Sequence, residues 1–201
     1  MNLLSALRRG PWSARLLWLA AGVVLGLGLA AALVALSWGW PRLVGPGPAL
    51  PEAQVARLEA LGRQALETED IPVAALLVYR GEVIGAGHNT VRAHHDAGGH
   101  AEIQAISEAL RRYGEPEFFK LERGEMELIT TFEPCPMCQG AIAMYGIGKV
   151  TYLGSKPLGR HLELEQARLR YLWTRRWVRP EDLQQRLFEL HPSWPKGAKA
   201  P

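Results

Sequence analysis

Between Arg15 and Arg42 the chain carries no charged side chain, and Leu16 to Pro41 is almost wholly Leu, Ala, Val and Gly, with Ser37 nearly the only polar residue. At 1.5 Å rise per residue such a run reaches about 39 Å as a helix, beyond the roughly 30 Å of a bilayer's hydrocarbon core. The pattern predicts a membrane-spanning helix over 16–41, ended by Gly39 and Pro41, with Trp18, Trp38 and Trp40 placed where indole rings favour the water–lipid boundary. A cleaved signal peptide is the rival reading, since Ala30-Ala31-Ala32 offers small residues for a cleavage site, but the apolar run is long for a signal. Arg8, Arg9 and Arg15 precede the run, whereas Arg42 is followed by nothing basic until Arg57, so the positive-inside rule places the rest of the chain outside the cytoplasm.

Beyond this run the spacing changes. Pro41 to Pro51 (PRLVGPGPALP) is a Pro/Gly spacer. Val55, Leu58, Leu61 and Ala65 recur at helical intervals and predict a helix over 52–68, stopped by Pro72. VAALLVY (73–79) and VIGA (83–86) flank Arg80-Gly81-Glu82 and predict a tight hairpin, its first strand buried on both faces. Residues 87–99 form a loop holding His88, Asn89, His94, His95 and Asp96, with the histidines read as loop residues rather than extra ligands. Ile103, Ile106, Leu110 and Tyr113 predict a core-facing helix over 100–113, closed by Gly114. MELITTF (126–132), a helix over 135–145 and KVTYLG (149–154) follow, a strand–helix–strand order that implies a right-handed crossover and a parallel pair. The whole is an α/β layered sheet behind one N-terminal helix.

Composition narrows the class. Apolar residues make up 48% of the 201, enough for a core, and 21 Gly with 14 Pro stay below the level of a low-complexity chain. The net charge of +3 makes neither a polybasic nor an acidic protein, and two cysteines cannot staple a disulfide scaffold. No internal repeat is present. The predicted organisation is a basic segment at 1–15, an anchor at 16–41, a linker at 42–51, a catalytic domain at 52–158 and a helical basic extension at 159–201.

The two cysteines sit in Cys135-Pro136-Met137-Cys138, which taken alone is equally a redox dithiol or half of a metal site. His100-Ala101-Glu102, also opening a helix behind a glycine loop, tips the balance toward metal. One His and two Cys make three ligands, the catalytic zinc arrangement in which the fourth position is left to water. With Cys135 near an N-cap and Pro136 at the first helical position, both sulfurs lie beside unsatisfied backbone N–H groups that favour thiolate. Glu102, two residues from His100, is placed to take and return a proton without being a ligand. A lone helical His or Glu is usually solvated; jointly, H-x-E with a downstream P-C-x-x-C is a zinc deaminase pattern.

The stretches IPVAALLVYRGEVIGAGHN, HDAGGHAEIQAI and ITTFEPCPMCQGAIAMYGIGKVTYLG resemble the cytidine deaminase-like superfamily, on the branch that holds bacterial tRNA adenosine deaminases and guanine deaminases. The resemblance runs over about 52–158. It implies a three-layer α/β/α sheet, often dimeric, with one zinc ion held by His100, Cys135 and Cys138. Glu102 is then the proton shuttle, Asn89 a contact to the base and Ala101 a backbone contact. The implied reaction replaces an exocyclic amine by a carbonyl and releases ammonia.

The chain departs from its relatives in places. Asp96-Ala97-Gly98-Gly99 stands where they usually have D-P-T, and Ser155-Lys156-Pro157 where many carry an acid that helps define the substrate. Residues 161–177 and 181–190 read as helices separated near Pro180, with no fifth strand. There Arg168, Arg170, Arg175, Arg176 and Arg179 interleave with Tyr171, Trp173 and Trp177. The first reading is an amphipathic helix with Leu162, Leu169, Leu172 and Trp173 packed on the sheet; a lipid-facing helix comes second and a nucleic-acid surface third.

The expected activity is a membrane-tethered, single-pass hydrolytic deaminase of a nucleobase or nucleoside, its domain outside the cytoplasm. That location puts a small molecule ahead of nucleic acid as partner. A cytoplasmic domain would bring tRNA adenosine back. The rival classes are a tethered dithiol oxidoreductase using Cys135 and Cys138, and an inactive deaminase fold serving as a binding module.

Overall fold

The computed structural model describes residues 12–44, 49–174, 183–192, 195 and 197–198. The chain divides into two units, Met1–Pro51 and Glu52–Pro201. The first holds helix α1 (Trp12–Val44), and within it Leu16–Leu33 is fully exposed and, by length and composition, apolar enough to cross a membrane. The helix does not stop at Pro41, as the sequence suggested, but continues to Val44. Proline removes one N–H and crowds the turn before it, yet the residues after it keep their own donors, so a helix can run on past it. Arg8 and Arg9, and the linker residues 45–48, lie outside the described residues.

The second unit follows the predicted order closely. Helix α2 (Glu52–Glu67) leads into strands β1 (Ala74–Tyr79) and β2 (Glu82–His88). The short helix α3 (Val91–His94), helix α4 (Ala101–Tyr113) and the short helix α5 (Glu115–Phe118) come next. Strand β3 (Met126–Phe132), helix α6 (Pro136–Met144) and strand β4 (Lys149–Gly154) complete the sheet, and helices α7 (Leu158–Thr174) and α8 (Leu183–Glu189) follow it. No strand follows β4 among the described residues.

The four strands lie in the order β2-β1-β3-β4, with β1 antiparallel to both neighbours and β3 parallel to β4 across α6. Arg80 (φ 50°) and Gly81 (φ 85°) both take the left-handed conformation that a two-residue hairpin turn requires. The guanidinium of non-glycine Arg80 lies 5.2 Å over the Tyr79 ring and 2.6 Å from Glu122. Central β1 is buried on both faces: Ala75 and Leu77 join the core with Ile106, Ala109, Phe118, Met126 and Leu128, while α2 packs against β1 and β2 with Leu58, Leu61 and Ala65 buried. This is a mixed α/β fold, a four-stranded sheet flanked by helices.

What seats α4 is the absence of side chains. Its contact face is Ala101, Ala105, Ala109 and Ile106, and it lies across Gly85 and Gly87 of β2. A Cβ at Gly87 would meet the Ala101 carbonyl at 2.5 Å and the Ala105 N–H nitrogen at 2.7 Å, and one at Gly85 would collide with the Ala105 carbonyl. Backbone cannot give way as a side-chain tip can. Gly87→Val is therefore expected to cost roughly 2–4 kcal/mol, as overpacking against main chain does. Thermal melting of the variant beside the parent checks this, and an unchanged melting temperature would show the helix free to shift outward.

The extension differs from its first reading. Leu162, Leu169, Leu172 and Trp173 on α7 are exposed, not packed on the sheet. Helices already cover both faces of the sheet, and α7 meets the domain near its start, where His161 Nε2 lies 3.4 Å from Glu133. Arg175, Arg176, Trp177, Arg179 and Pro180 lie outside the described residues.

Candidate metal centre and its cavity

Two helix starts face each other. His100 is the N-cap of α4 (φ −70°, ψ 141°) and Cys135 the N-cap of α6 (φ −76°, ψ 167°), both in extended backbone conformation, with Pro136 opening α6. In the first turn of each helix lies a buried partner, Glu102 on α4 and Cys138 on α6. Proline suits that place because its missing N–H would be unpaired there anyway.

The predicted ligands converge. His100 Nδ1 lies 3.7 Å from Cys135 Sγ and 3.6 Å from Cys138 Sγ, and the two sulfurs are 3.6 Å apart. With Zn–S near 2.3 Å and Zn–N near 2.0–2.1 Å, a tetrahedral ion sets its donors about 3.6–3.8 Å from one another. The three donors thus form a triangle of the size one zinc ion demands. His100, Cys135 and Cys138 are positioned to bind one zinc, and this is the one three-donor cluster found among the described residues. His94 and His95 stand apart from it, ending α3 and following it.

The electrostatics suit a cation. The Cys138 thiol, hydrogen-bonded to Cys135, and the backbone N–H groups of Cys138 and Met137 hold the Cys135 thiol down to about 5 against its partial burial. The proton shared by the pair is correspondingly held on Cys138, whose pKa is raised by that hydrogen bond and by burial. Bringing two sulfurs this close favours losing their shared proton to a metal. Glu102, only 3% exposed, is pushed above the ordinary carboxylate range by burial and by the neighbouring Cys135; its own backbone N–H and Cys138 pull the other way.

A cavity of about 570 Å³ opens over the cluster. His100, Ala101, Glu102 and Cys135 line it, together with Asn89, which is 8% exposed. Every residue named from the sequence is therefore here except Cys138, which lies beneath the floor at 0% exposure. Several lining residues were not anticipated. Asp70 follows the end of α2 and is buried; Lys156, within the Ser155-Lys156-Pro157 departure, is 8% exposed, with Nζ 4.9 Å from the Phe132 ring centre and bonded to the Glu133 carbonyl. Nothing in the order of residues signals either position, because both depend on loops folding back over the sheet.

A model of the cytidine and deoxycytidylate deaminase zinc-binding region matches residues 52–154. The chain is similar to the tRNA-specific adenosine deaminase of Aquifex aeolicus, 40% identical over 99 residues that make up 49% of this chain and 61% of that protein. It is also similar to the tRNA(Ile)-lysidine synthase of Deinococcus radiodurans, 38% identical over 112 residues, 55% of this chain and 18% of that protein. The chain thus spans less than two thirds of the length of either. Among solved structures, guanine deaminase from Bacillus subtilis matches with a TM-score of 0.52 at 21% identity, over 69% of this chain and 92% of that one, and shares the fold. The match over half the residues, and a donor triangle of zinc dimensions inside it, show that the chain belongs to the cytidine and deoxycytidylate deaminase zinc-binding family.

Proposed function

We propose that this protein is a zinc-dependent hydrolytic deaminase, converting an exocyclic amine of a nucleobase or nucleoside to a carbonyl with release of ammonia. The observation that carries the reading is the buried Glu102 carboxyl lining the same cavity as His100, Cys135 and Asn89. A dithiol oxidoreductase would leave that carboxyl, and the even spacing of His100 from both sulfurs, without a purpose.

His100, Cys135 and Cys138 hold the metal in this proposal. Zinc held there would acidify a water from a pKa of about 15.7 toward about 7. Glu102 would take one proton from the attacking water and deliver it to the ring nitrogen, then move the remaining proton, from the new hydroxyl on the ring carbon, to the departing amine. Its raised affinity for a proton suits a group that must hold one between these transfers. Asn89 engages the base, and the Ala101 backbone supports it. Water enters and ammonia leaves, so no oxidant is required.

Helix α1 is proposed as a membrane anchor on the length and composition of Leu16–Leu33. The arginines before it favour a domain outside the cytoplasm and a small-molecule substrate. The likeness to a tRNA-specific adenosine deaminase favours a second reading, tRNA adenosine, should the domain face the cytoplasm. The test is ammonia release by the full chain in detergent micelles from adenine, guanine, cytosine, their nucleosides and tRNA. Turnover of one class is expected; zinc-loaded protein that releases no ammonia from any of them would leave a binding module instead. A topology reporter fused after Pro201 decides between the two locations.

A further inference from the structure

Asp70 lies between α2 and β1, is 3% exposed, and lines the cavity alongside Asn89. Its carboxylate accepts four hydrogen bonds. Oδ1 takes the Arg92 N–H at 2.8 Å and Asn89 Nδ2 at 3.4 Å; Oδ2 takes the Ala93 N–H at 3.1 Å and the Thr68 hydroxyl at 3.1 Å. Burial pushes the Asp70 carboxyl up, but the Arg92 and Ala93 N–H groups, the Thr68 hydroxyl and the Arg92 charge outweigh it and hold its pKa below the usual range, so it is ionised at neutral pH.

An ionised carboxylate can only accept, whereas the two ends of an amide are alike in shape and differ only in donating or accepting. Asp70 therefore settles which end of Asn89 faces it. Turned the other way, the amide oxygen would confront Asp70 Oδ1 with no proton between two acceptors. The Asn89 main chain is held separately, its N–H donating to the Val73 carbonyl at 3.0 Å, so the carboxylate acts on the side chain. With Nδ2 committed to Asp70, Asn89 Oδ1 has no hydrogen-bond partner among the described residues.

We propose that Asp70 is a positioning residue that turns the Asn89 amide oxygen to the cavity, so that the site selects a ring presenting a hydrogen-bond donor, an N–H or an amine, to that oxygen. The proposal rests on the deaminase reading above for its substrate, and on the geometry of Asp70 and Asn89 for its mechanism. Asp70→Asn nearly preserves shape but removes one obligatory acceptor and allows the facing amide to turn.

The experiment is a double-mutant cycle in the full chain, with the most active base or nucleoside of the ammonia panel as substrate. Asp70→Asn and Asn89→Ala are each expected to lower kcat/KM about 10–100-fold, and the double variant to fall no further than Asn89→Ala, with one zinc per chain throughout. A substrate methylated at the donor nitrogen should lose rate with the wild type and not with Asn89→Ala. Losses that multiply in the double variant would overturn the proposal, since Asp70 would then act independently of Asn89. Should the wild type release no ammonia, the deaminase reading fails by itself, and the side-chain amide protons of Asn89 still report orientation by NMR. Slow exchange with water in the wild type, accelerated at least tenfold in Asp70→Asn, is expected. Rapid exchange in the wild type itself, which needs no variant to fold, would overturn the proposal.

Discussion

Replacing Glu102 by Ala or Gln is expected to abolish most ammonia release while leaving one zinc per chain. The carboxyl is on the first turn of α4, next but one to His100, and is not among the three converging donors. Removing it leaves the triangle intact and takes away the group proposed to move protons. A positioned acid–base is worth 10²–10⁴ in rate, so the barrier rises by about 3–5 kcal/mol. Gln keeps the volume and removes the titratable proton, which separates proton transfer from packing in this buried place. The check is turnover together with metal analysis of the same sample. A variant that lost both zinc and activity would make Glu102 a ligand, and one that kept full rate would require another proton carrier.

The second large effect is expected from the ligands themselves. His100→Ala, Cys135→Ser and Cys138→Ser should each reduce bound zinc from one per chain toward none and reduce activity to background. They should also lower thermal stability, because an ion that binds only the folded state contributes about 4 kcal/mol when present at a thousandfold its dissociation constant. A chelator should do the same to the wild type, and added zinc should reverse it. His100→Ala separates the rival chemistry: a dithiol enzyme would keep its reducible cysteine pair and its activity when the imidazole is gone. Retention of zinc at full occupancy in all three variants would remove the metal centre as described.

Much of the domain was legible because its signals are local. The alternation and apolar runs of 73–79 and 126–132, the Arg80-Gly81 turn, the Gly114 stop and the strand–helix–strand order around Pro136 each depend on neighbouring residues, and each is found where expected. His100, Glu102, Cys135 and Cys138 were legible as a set because spacing ties each pair to one helical turn. What escaped depends on contacts between distant parts. Gly85 and Gly87 read as weak strand residues and turn out to be the seat of α4. Ala105 and Ala109 carry the buried face of that helix with Ile106, and of the predicted stripe Leu110 and Tyr113 pack against this core while Ile103 does not join it. Asp70 gains its meaning only when residues 89–93 fold back across it. The exposed apolar side of α7 was misread because a periodic stripe says which side chains share a face and not what lies opposite.

Placing a metal-donor imidazole and a buried carboxyl two residues apart at the start of one tightly seated helix has a consequence for how this protein can change. Drift in the loops at 90–99 and 155–157 alters what the mouth admits, while the distance between nitrogen donor and carboxyl is inherited from a single turn of main chain. New specificities are then within reach of substitutions that never threaten the reaction, whereas the same freedom at the glycines beneath the helix is closed.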